Sequence, residues 1–425
     1  VTTFASSVGS SAELRAPPVN SRPQLRPWHF VICFGLVSLF ADMVYEGARS
    51  IIGPYLATLG ASAALVGAVA GAAEFIGYGL RVVSGYLVQR RKNYWTWTIT
   101  GYALTVLSVP LIGVTNVIAP ALLLYGTERL GKAVRSPAKD TLLSHASTRT
   151  GRGSAFGVHQ AMDQSGAMAG PLLLAAVLWL HAGSYRLAFG VLIVPGVIVL
   201  ALLFWLRARV PDPAAYELAA PSPYQDESLV RQEPASRQDE TVRAGLPPLV
   251  RQYIGTVGLL SLGIASFPLL AFHAQTRGLL TSAQVPVLFA VAMAVDGLSG
   301  LLMGRFYDRL QKQGRWVLLV VPAAAGFSAI AFTDSPALVW VGVAVWGLVN
   351  GVLDSTVKAV VTELVEPGLR SVAFGWLALA RGLGLLLAGI SLGLAYEQST
   401  TAAIWLVLGV NVVAAAALVR VLARL

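Results

Sequence analysis

Between Glu128 and Pro171 the sequence sets acids and bases into stretches that are otherwise apolar enough to lie in a membrane. Glu128, Arg129, Lys132 and Arg135 crowd into one run, His159 and Asp163 stand one helical turn apart in the next, and Gly166-Ala-Met-Ala-Gly170-Pro171 follows. Charge is costly to place in hydrocarbon, and where it persists it usually lines a path for protons, ions or a solute. The chemistry on offer is proton uptake and release by carboxylates, together with electrostatic capture of a cargo. Other chemistries lack their parts. No G-x-x-x-x-G-K-[ST] run is present to cradle a nucleotide. A single cysteine, Cys33, excludes a disulfide framework, and no His/Cys cluster has metal-ligand spacing. Nothing here implies an enzyme, a cofactor or a metal.

The elements that must hold these residues are membrane helices. Hydrophobic residues make up 56% of the chain, charged ones only 12%, and the mean hydropathy is +0.67; a soluble domain needs about twice that charge to cover its surface. The net charge of +10 would point to nucleic acid in a soluble protein, but here loop bases that sort to the cytoplasmic side account for it. Apolar runs near bilayer-spanning length predict about twelve spans, at 28–57, 62–88, 95–117, 118–142, 153–181, 186–208, 249–276, 281–306, 315–333, 336–364, 370–396 and 400–422. Each must be helical, because a lone strand leaves its backbone unsatisfied in lipid. The fold class is therefore an all-α polytopic membrane protein. Residues 1–27 read as a polar cytoplasmic tail without a signal-peptide pattern, so the first span is expected to be an uncleaved anchor. Residues 209–248, rich in Pro and mixed charge, read as a cytoplasmic linker between six-helix halves at 28–208 and 249–425. Arg90-Arg91-Lys92, Arg149, Arg152, Arg305, Arg309, Lys312 and Arg370 all fall on one side, and the other side is nearly bare apart from Arg186 and Arg277. The positive-inside rule then places both termini in the cytoplasm.

Sorted by span, the ionisable residues avoid the third helix of every group of three: spans three, six, nine and twelve have none in their apolar cores. Those four are expected on the outside, in lipid. In span one, Asp42, Glu46 and Arg49 share a face; a Glu46–Arg49 pair can lock the helix, while Asp42 is read as a cavity acid that takes up and releases a proton. Glu74 in span two is either fixed to a base of span one or four or acts as a coupling acid. Glu128 and Lys132, at i and i+4, read as a self-compensating pair, which leaves Arg129 as the base in need of a partner or a substrate anion. Lys132, Arg135 and Lys139 are expected to snorkel toward headgroups. In the second half, Asp354 and Lys358 read as another i, i+4 pair, Asp296 stands alone at mid-span, and His273 lies near the outer end of span seven, where a structural role is expected.

The halves repeat. Gly85-Tyr-Leu-Val-Gln89-Arg90 matches Gly304-Arg-Phe-Tyr-Asp308-Arg309, and Ala155-Phe-Gly157 matches Ala373-Phe-Gly375, at offsets of 219 and 218 residues. That register places Asp163 opposite Arg381, so a salt bridge across the halves, a bond within one half, or no contact are all open. Gly67-x-x-x-Gly71, Gly166-x-x-x-Gly170 and Gly347-x-x-x-Gly351 permit close backbone approach.

On these residues the chain resembles the major facilitator superfamily over nearly its whole length. The Gly304-x-x-x-Asp308-Arg309 loop is similar to that superfamily's signature between the second and third helices of a half; Gln89 replaces the usual acid in the first half. Gly166-x-x-x-Gly170-Pro171 is similar to the front of an antiporter motif, without the glycine pair that often follows. Glu128 to Pro137 resembles a segment of a bacterial subgroup of efflux permeases, and the resemblance matches Arg129 to the span-four arginine of proton-linked members. The two loops are expected to gate the cytoplasmic side, through Asp308 at a helix N-terminus and a weaker, uncharged Gln89. The resemblance implies a monomeric secondary transporter of a bacterial-type inner membrane. It is expected to couple protons to export of a small molecule by antiport; the alternatives are a proton-coupled symporter importing a nutrient and a transport-inactive receptor or scaffold.

Overall fold

The structure, a computed structural model, describes residues 25–147, 150, 152–213, 215–218, 246–366 and 369–424. Most of the expected tail and linker therefore lies outside the described residues. All regular structure within them is helical, and apart from a short helix at Ala215–Leu218 it forms the twelve expected spans. In the first half these are Pro27–Thr58, Ala63–Arg91, Tyr94–Ile112, Ile118–Ser147, Arg152–Leu180, and a sixth in two pieces, Tyr185–Val191 and Ile193–Arg209. The second half holds a seventh in two pieces, Pro248–Leu262 and Phe267–Thr276, then Gln284–Leu310, a ninth across 311–332, Pro336–Leu364, Arg370–Gln398 and Thr400–Leu422.

Prolines explain the interruptions. Pro195 has no N–H to give the carbonyl of Val191, where span six breaks. Span seven stops at Gly263 and restarts with Pro268 in the first turn of its second piece. The carbonyls freed there are taken up from other helices: Asn411 donates to the Gly263 oxygen at 2.8 Å and Trp346 to that of Ala265 at 2.7 Å. Span nine contains Pro322 and is 3₁₀-helical at both ends. Span three ends at Ile112, short of the expected 117, because Pro110 and Gly113 close its last turn.

Eleven of these helices are long and apolar enough to cross a membrane on their own. Span four is the exception, because Glu128, Arg129, Lys132 and Arg135 sit in its middle. Protein covers those charges instead of lipid: Glu128, Arg129 and Arg135 are buried, and the helix packs on spans two and three.

Within each half, glycines bring helices to backbone contact. Gly166 and Gly170 of span five lie against Leu39, Asp42 and Met43 of span one; Gly384 of span eleven, one repeat register after Gly166, lies against Gly258 of span seven. Gly347 and Gly351 pack on Ala292 and Asp296 of span eight. Among the described residues, the extensive contacts of spans three, six, nine and twelve all lie within their own half, the outer position their bare sequences predict.

Spans one, two and five meet spans seven, eight and eleven across the interface, most extensively where span two lies on span eleven. These contacts concentrate toward the side away from the chain termini. There, Gly67 and Gly71 face Gly389, Gly393 and Leu386 backbone to backbone, and Gly53 meets the backbone of Pro268. On the terminal side, spans four and ten pack within their own halves, and Gly157 and Gly304 have open space beside them. The two halves close on the far side; on the terminal side spans two and eleven still touch at Val82 and Gly375, while the facing ends of spans five and eight have open space beside Gly157 and Gly304.

Candidate functional site

Three groups of charged residues occupy the middle of the bundle. The first joins spans one, two and four. Arg49 donates to Glu74 at 3.0 Å and lies 3.5 Å from Glu46 on its own helix. Arg129, only 1% exposed, contacts Glu128 at 3.0 Å, Glu74 at 3.8 Å and the Tyr125 hydroxyl at 3.2 Å. Lys132 reaches Glu46 at 3.7 Å. This is a branched network of buried ions in which each base has an acid, an arrangement that sets helix positions because breaking one member leaves a bare charge behind.

The expected pairing of Glu128 with Lys132 is thus replaced by Glu128 with Arg129 and Lys132 with Glu46. Spacing along one helix identifies only intrahelical neighbours; the packed bundle offers Lys132 a carboxylate on span one and leaves Glu128 to the adjacent guanidinium. Snorkelling is also overturned for Arg135. It is 4% exposed, donates to Thr105 at 2.7 Å and lies over the rings of Tyr45 and Tyr102, because span four is enclosed by protein where headgroups were expected.

The second group, nearer the terminal side, joins spans one, four and five. Asp163 lies 3.7 Å from Lys139 and 3.6 Å from His159. Asp42 sits beside it, 7% exposed, with Tyr45 as its hydrogen-bond partner and no base within ion-pair distance among the described residues.

The third lies in the second half. Asp354 pairs with Arg381 at 2.5 Å, which corrects the expected Asp354–Lys358 pair. Of the three possibilities left by the repeat, Asp163 and Arg381 each bond within their own half. Arg381 also lies over the ring of Tyr78 on span two, 5.0 Å from its centre, a contact that favours a cation on an aromatic face. The Asp354 side chain is 53% exposed near the middle of its helix; beside Tyr78 and Arg381 that exposure marks the opening between the halves. Asp296, as its isolation in sequence predicts, has no ion pair among the described residues.

His273 is buried between two partners. Its Nε2 lies 3.1 Å from the Thr333 carbonyl and its Nδ1 2.9 Å from the Tyr396 hydroxyl. A carbonyl only accepts, so Nε2 carries a proton toward Thr333. The ring pins span seven to span eleven and the loop after span nine. Outside the bilayer on the same side, Arg277 grips Asp334 through two bonds of 2.7 and 2.8 Å; those bonds hold the Asp334 carboxyl below the usual carboxylate range.

Two interface residues were not singled out by the sequence. Gln164 of span five donates to the Met293 carbonyl of span eight, across the halves. Glu397, at the end of span eleven, accepts from the Ala64 N–H at 3.1 Å and from Ser62, capping span two from the opposite half. A carboxylate at the positive end of a helix is favourable, so this contact latches the far side shut. Its only sequence trace is an acid in an otherwise bare loop. Glu397→Ala removes this contact from the opposite half and is expected to raise the population open on that side, read as longer spin-label distances between the ends of spans two and eleven; unchanged distances would remove the latch.

Of the expected gating residues, Gln89 and Arg90 are exposed, Gly85 lies near Pro137 of span four, and Arg309 is exposed. The side chain of Asp308, on which the gate reading rests, lies outside the described residues.

The family model of the Major Facilitator Superfamily matches residues 36–389. An uncharacterized protein of Mycobacterium tuberculosis is 43% identical over 395 residues, covering 93% of both chains. An uncharacterized MFS-type transporter of Methanocaldococcus jannaschii is 23% identical, over 87% of this chain and 89% of its own. Among solved structures, a mutant of the nucleoside transporter NupG superposes with a TM-score of 0.73 at 13% identity, covering 92% of this chain and 99% of that one. The peptide transporter POT in complex with sulfate gives 0.71 at 14% identity, covering 95% and 96%. At such identities the likeness shows the fold. With the matched family model spanning most of its length, the chain belongs to the major facilitator superfamily.

Proposed function

We propose that this multi-pass membrane protein is a proton-coupled antiporter that exports a small molecule by alternating access. The observation that carries the reading is Asp42. It is a buried acid at mid-span, without a cation, next to the Gly166 packing site where span five meets span one. An acid in that setting holds a proton in one state and releases it when the surrounding helices move and water or a base reaches it. Asp163, flanked by His159 and Lys139, lies on the terminal side of Asp42 and forms the next station for that proton. Glu74, Glu46, Glu128 and Arg129 form the network that fixes spans one, two and four around it, and the Asp354–Arg381 pair lines the opening on the other half.

The loop charges support cytoplasmic termini in a bacterial-type inner membrane, and the gap on the terminal side then corresponds to an inward-facing state. Gly85-Gln89-Arg90 and Gly304-Asp308-Arg309 are the loops that would close that gap, Gly166, Gly170 and Pro171 the packing on which span five moves, and residues 209–248 the tether between halves of a monomer.

The test begins with a thermal-shift panel that finds a stabilising ligand for the purified protein. Flux of that ligand is then followed in proteoliposomes under an imposed pH gradient. Asp42→Asn is expected to abolish the response to the gradient while ligand-for-ligand exchange continues. A full gradient response in Asp42→Asn moves the coupling role to another acid, and the absence of a response in the wild type removes proton coupling.

A further inference from the structure

Asp296 presents a different problem from Asp42. It lies at the middle of span eight, on the interface with the first half: the next residue, Gly297, packs on Gln164 of span five, and Gln164 holds the carbonyl of Met293 one turn away. The charged residues that face it are Asp354, Glu46, Arg49 and Arg381. Both bases are committed, Arg49 to Glu74 and Glu46, and Arg381 to Asp354. Two acids of the same neighbourhood are thus satisfied and Asp296 is left with no counter-charge. A second, independent feature lies beside it. The Asp354 carboxylate, though ion-paired, is 53% exposed, so water and solutes reach this level from the terminal side.

We infer that the cargo carries a positive charge and that Asp296 is the carboxylate that receives it. An ionised acid at this depth needs a partner, and the protein supplies none; a proton and a cationic group are the two species that complete it. They exclude each other at one carboxylate: when the cation arrives the proton leaves to water, and when the proton returns the cation is released. Asp42, enclosed on span one, is reached by protons alone, whereas Asp296 borders the opening and admits a larger ion. The aromatic ring of Tyr78 beside Arg381 is a surface of the kind that also accepts organic cations. This assignment names the substrate class for the proposed antiport and rests on the reading of the chain as a transporter.

The test is ligand binding to the purified full-length protein, with no gradient imposed. The cationic probes are tetraphenylphosphonium and benzyltrimethylammonium, the neutral counterparts triphenylphosphine oxide and benzyl alcohol, and the anions tetraphenylborate and benzoate. Thermal stabilisation is expected from a cation and not from its neutral or anionic counterpart, weaker in acid than at alkaline pH. Asp296→Asn is expected to weaken it about tenfold or more, and Asp296→Glu to keep it. Calorimetry on the wild type in two buffers of different ionisation enthalpy is expected to show proton release on cation binding in acid, a readout that survives if Asp296→Asn does not fold. Stabilisation by the neutral or anionic set alone, no stabilisation by any cation, or equal cation affinity in Asp296→Asn overturns the assignment. Cation binding lost in Asp296→Asn alongside flux that ignores a pH gradient would sink the proton-driven reading and leave the cation site standing.

Discussion

Valine in place of Gly67 or Gly389 is expected to hold the far side open and to cut transport by at least about tenfold. Each glycine's missing Cβ is filled by the other's carbonyl oxygen, so the contact is reciprocal and rigid. Nothing in it can rotate aside, because the atoms met are backbone. Forcing a larger side chain into packed backbone costs about 1–3 kcal/mol, and a two-state equilibrium biased by that amount moves about 5- to 150-fold. The cost falls only on the state in which spans two and eleven touch at this end, so the protein still folds but populates the state open on the far side. Spin-label distances across that end measure the shift, with thermal stability as the control. Normal closure in Gly67→Val would show that the helices have another way to meet, and would dismiss the glycine contact as the far-side gate.

Arg129→Met is expected to be the most destabilising single change in the first half. The guanidinium is 1% exposed and so is its partner Glu128; deleting it strands a carboxylate inside protein, which costs about 3–5 kcal/mol. Tyr125 loses a hydrogen bond and the ring contact beneath the guanidinium as well. Adding Glu128→Leu removes the stranded charge, so the double variant is expected to recover most of the lost thermal stability, as paired replacement of buried ions often does. Two outcomes separate the roles open to this arginine. Collapse in the single variant with recovery in the double makes it a scaffold ion that positions Glu74 and span four. A single variant that is as stable as wild type but inert in flux assays would instead place Arg129 in the transport path, the role implied by its resemblance to arginines of proton-linked relatives.

Sequence alone determined the architecture. Hydrocarbon rejects unsatisfied backbone, so apolar length and loop charge locate the spans. The repeat register of Gly85 with Gly304 and Ala155 with Ala373 divides them into halves, and the bare cores of spans three, six, nine and twelve put those helices outside. The intrahelical Glu46–Arg49 contact and the isolation of Asp296 were legible too, the first because i and i+3 share a face, the second because no base lies near it on its own helix. Only the tertiary structure decided who pairs with whom between helices. Glu128 takes Arg129, Lys132 takes Glu46, Asp354 takes Arg381, and Asp163 bonds in its own half with Lys139 and His159. The physical reason is that an ion inside protein takes whichever opposite charge lies within a few ångströms once water is gone. That choice depends on helix rotation and depth, set by backbone contacts such as Gly166 on Leu39 and Gly67 on Gly389. The same contacts decide which side of the molecule is closed. The charged stretch from Glu128 to Pro171, conspicuous in the sequence as a path, becomes in three dimensions a frame for Asp42, which it leaves without a base.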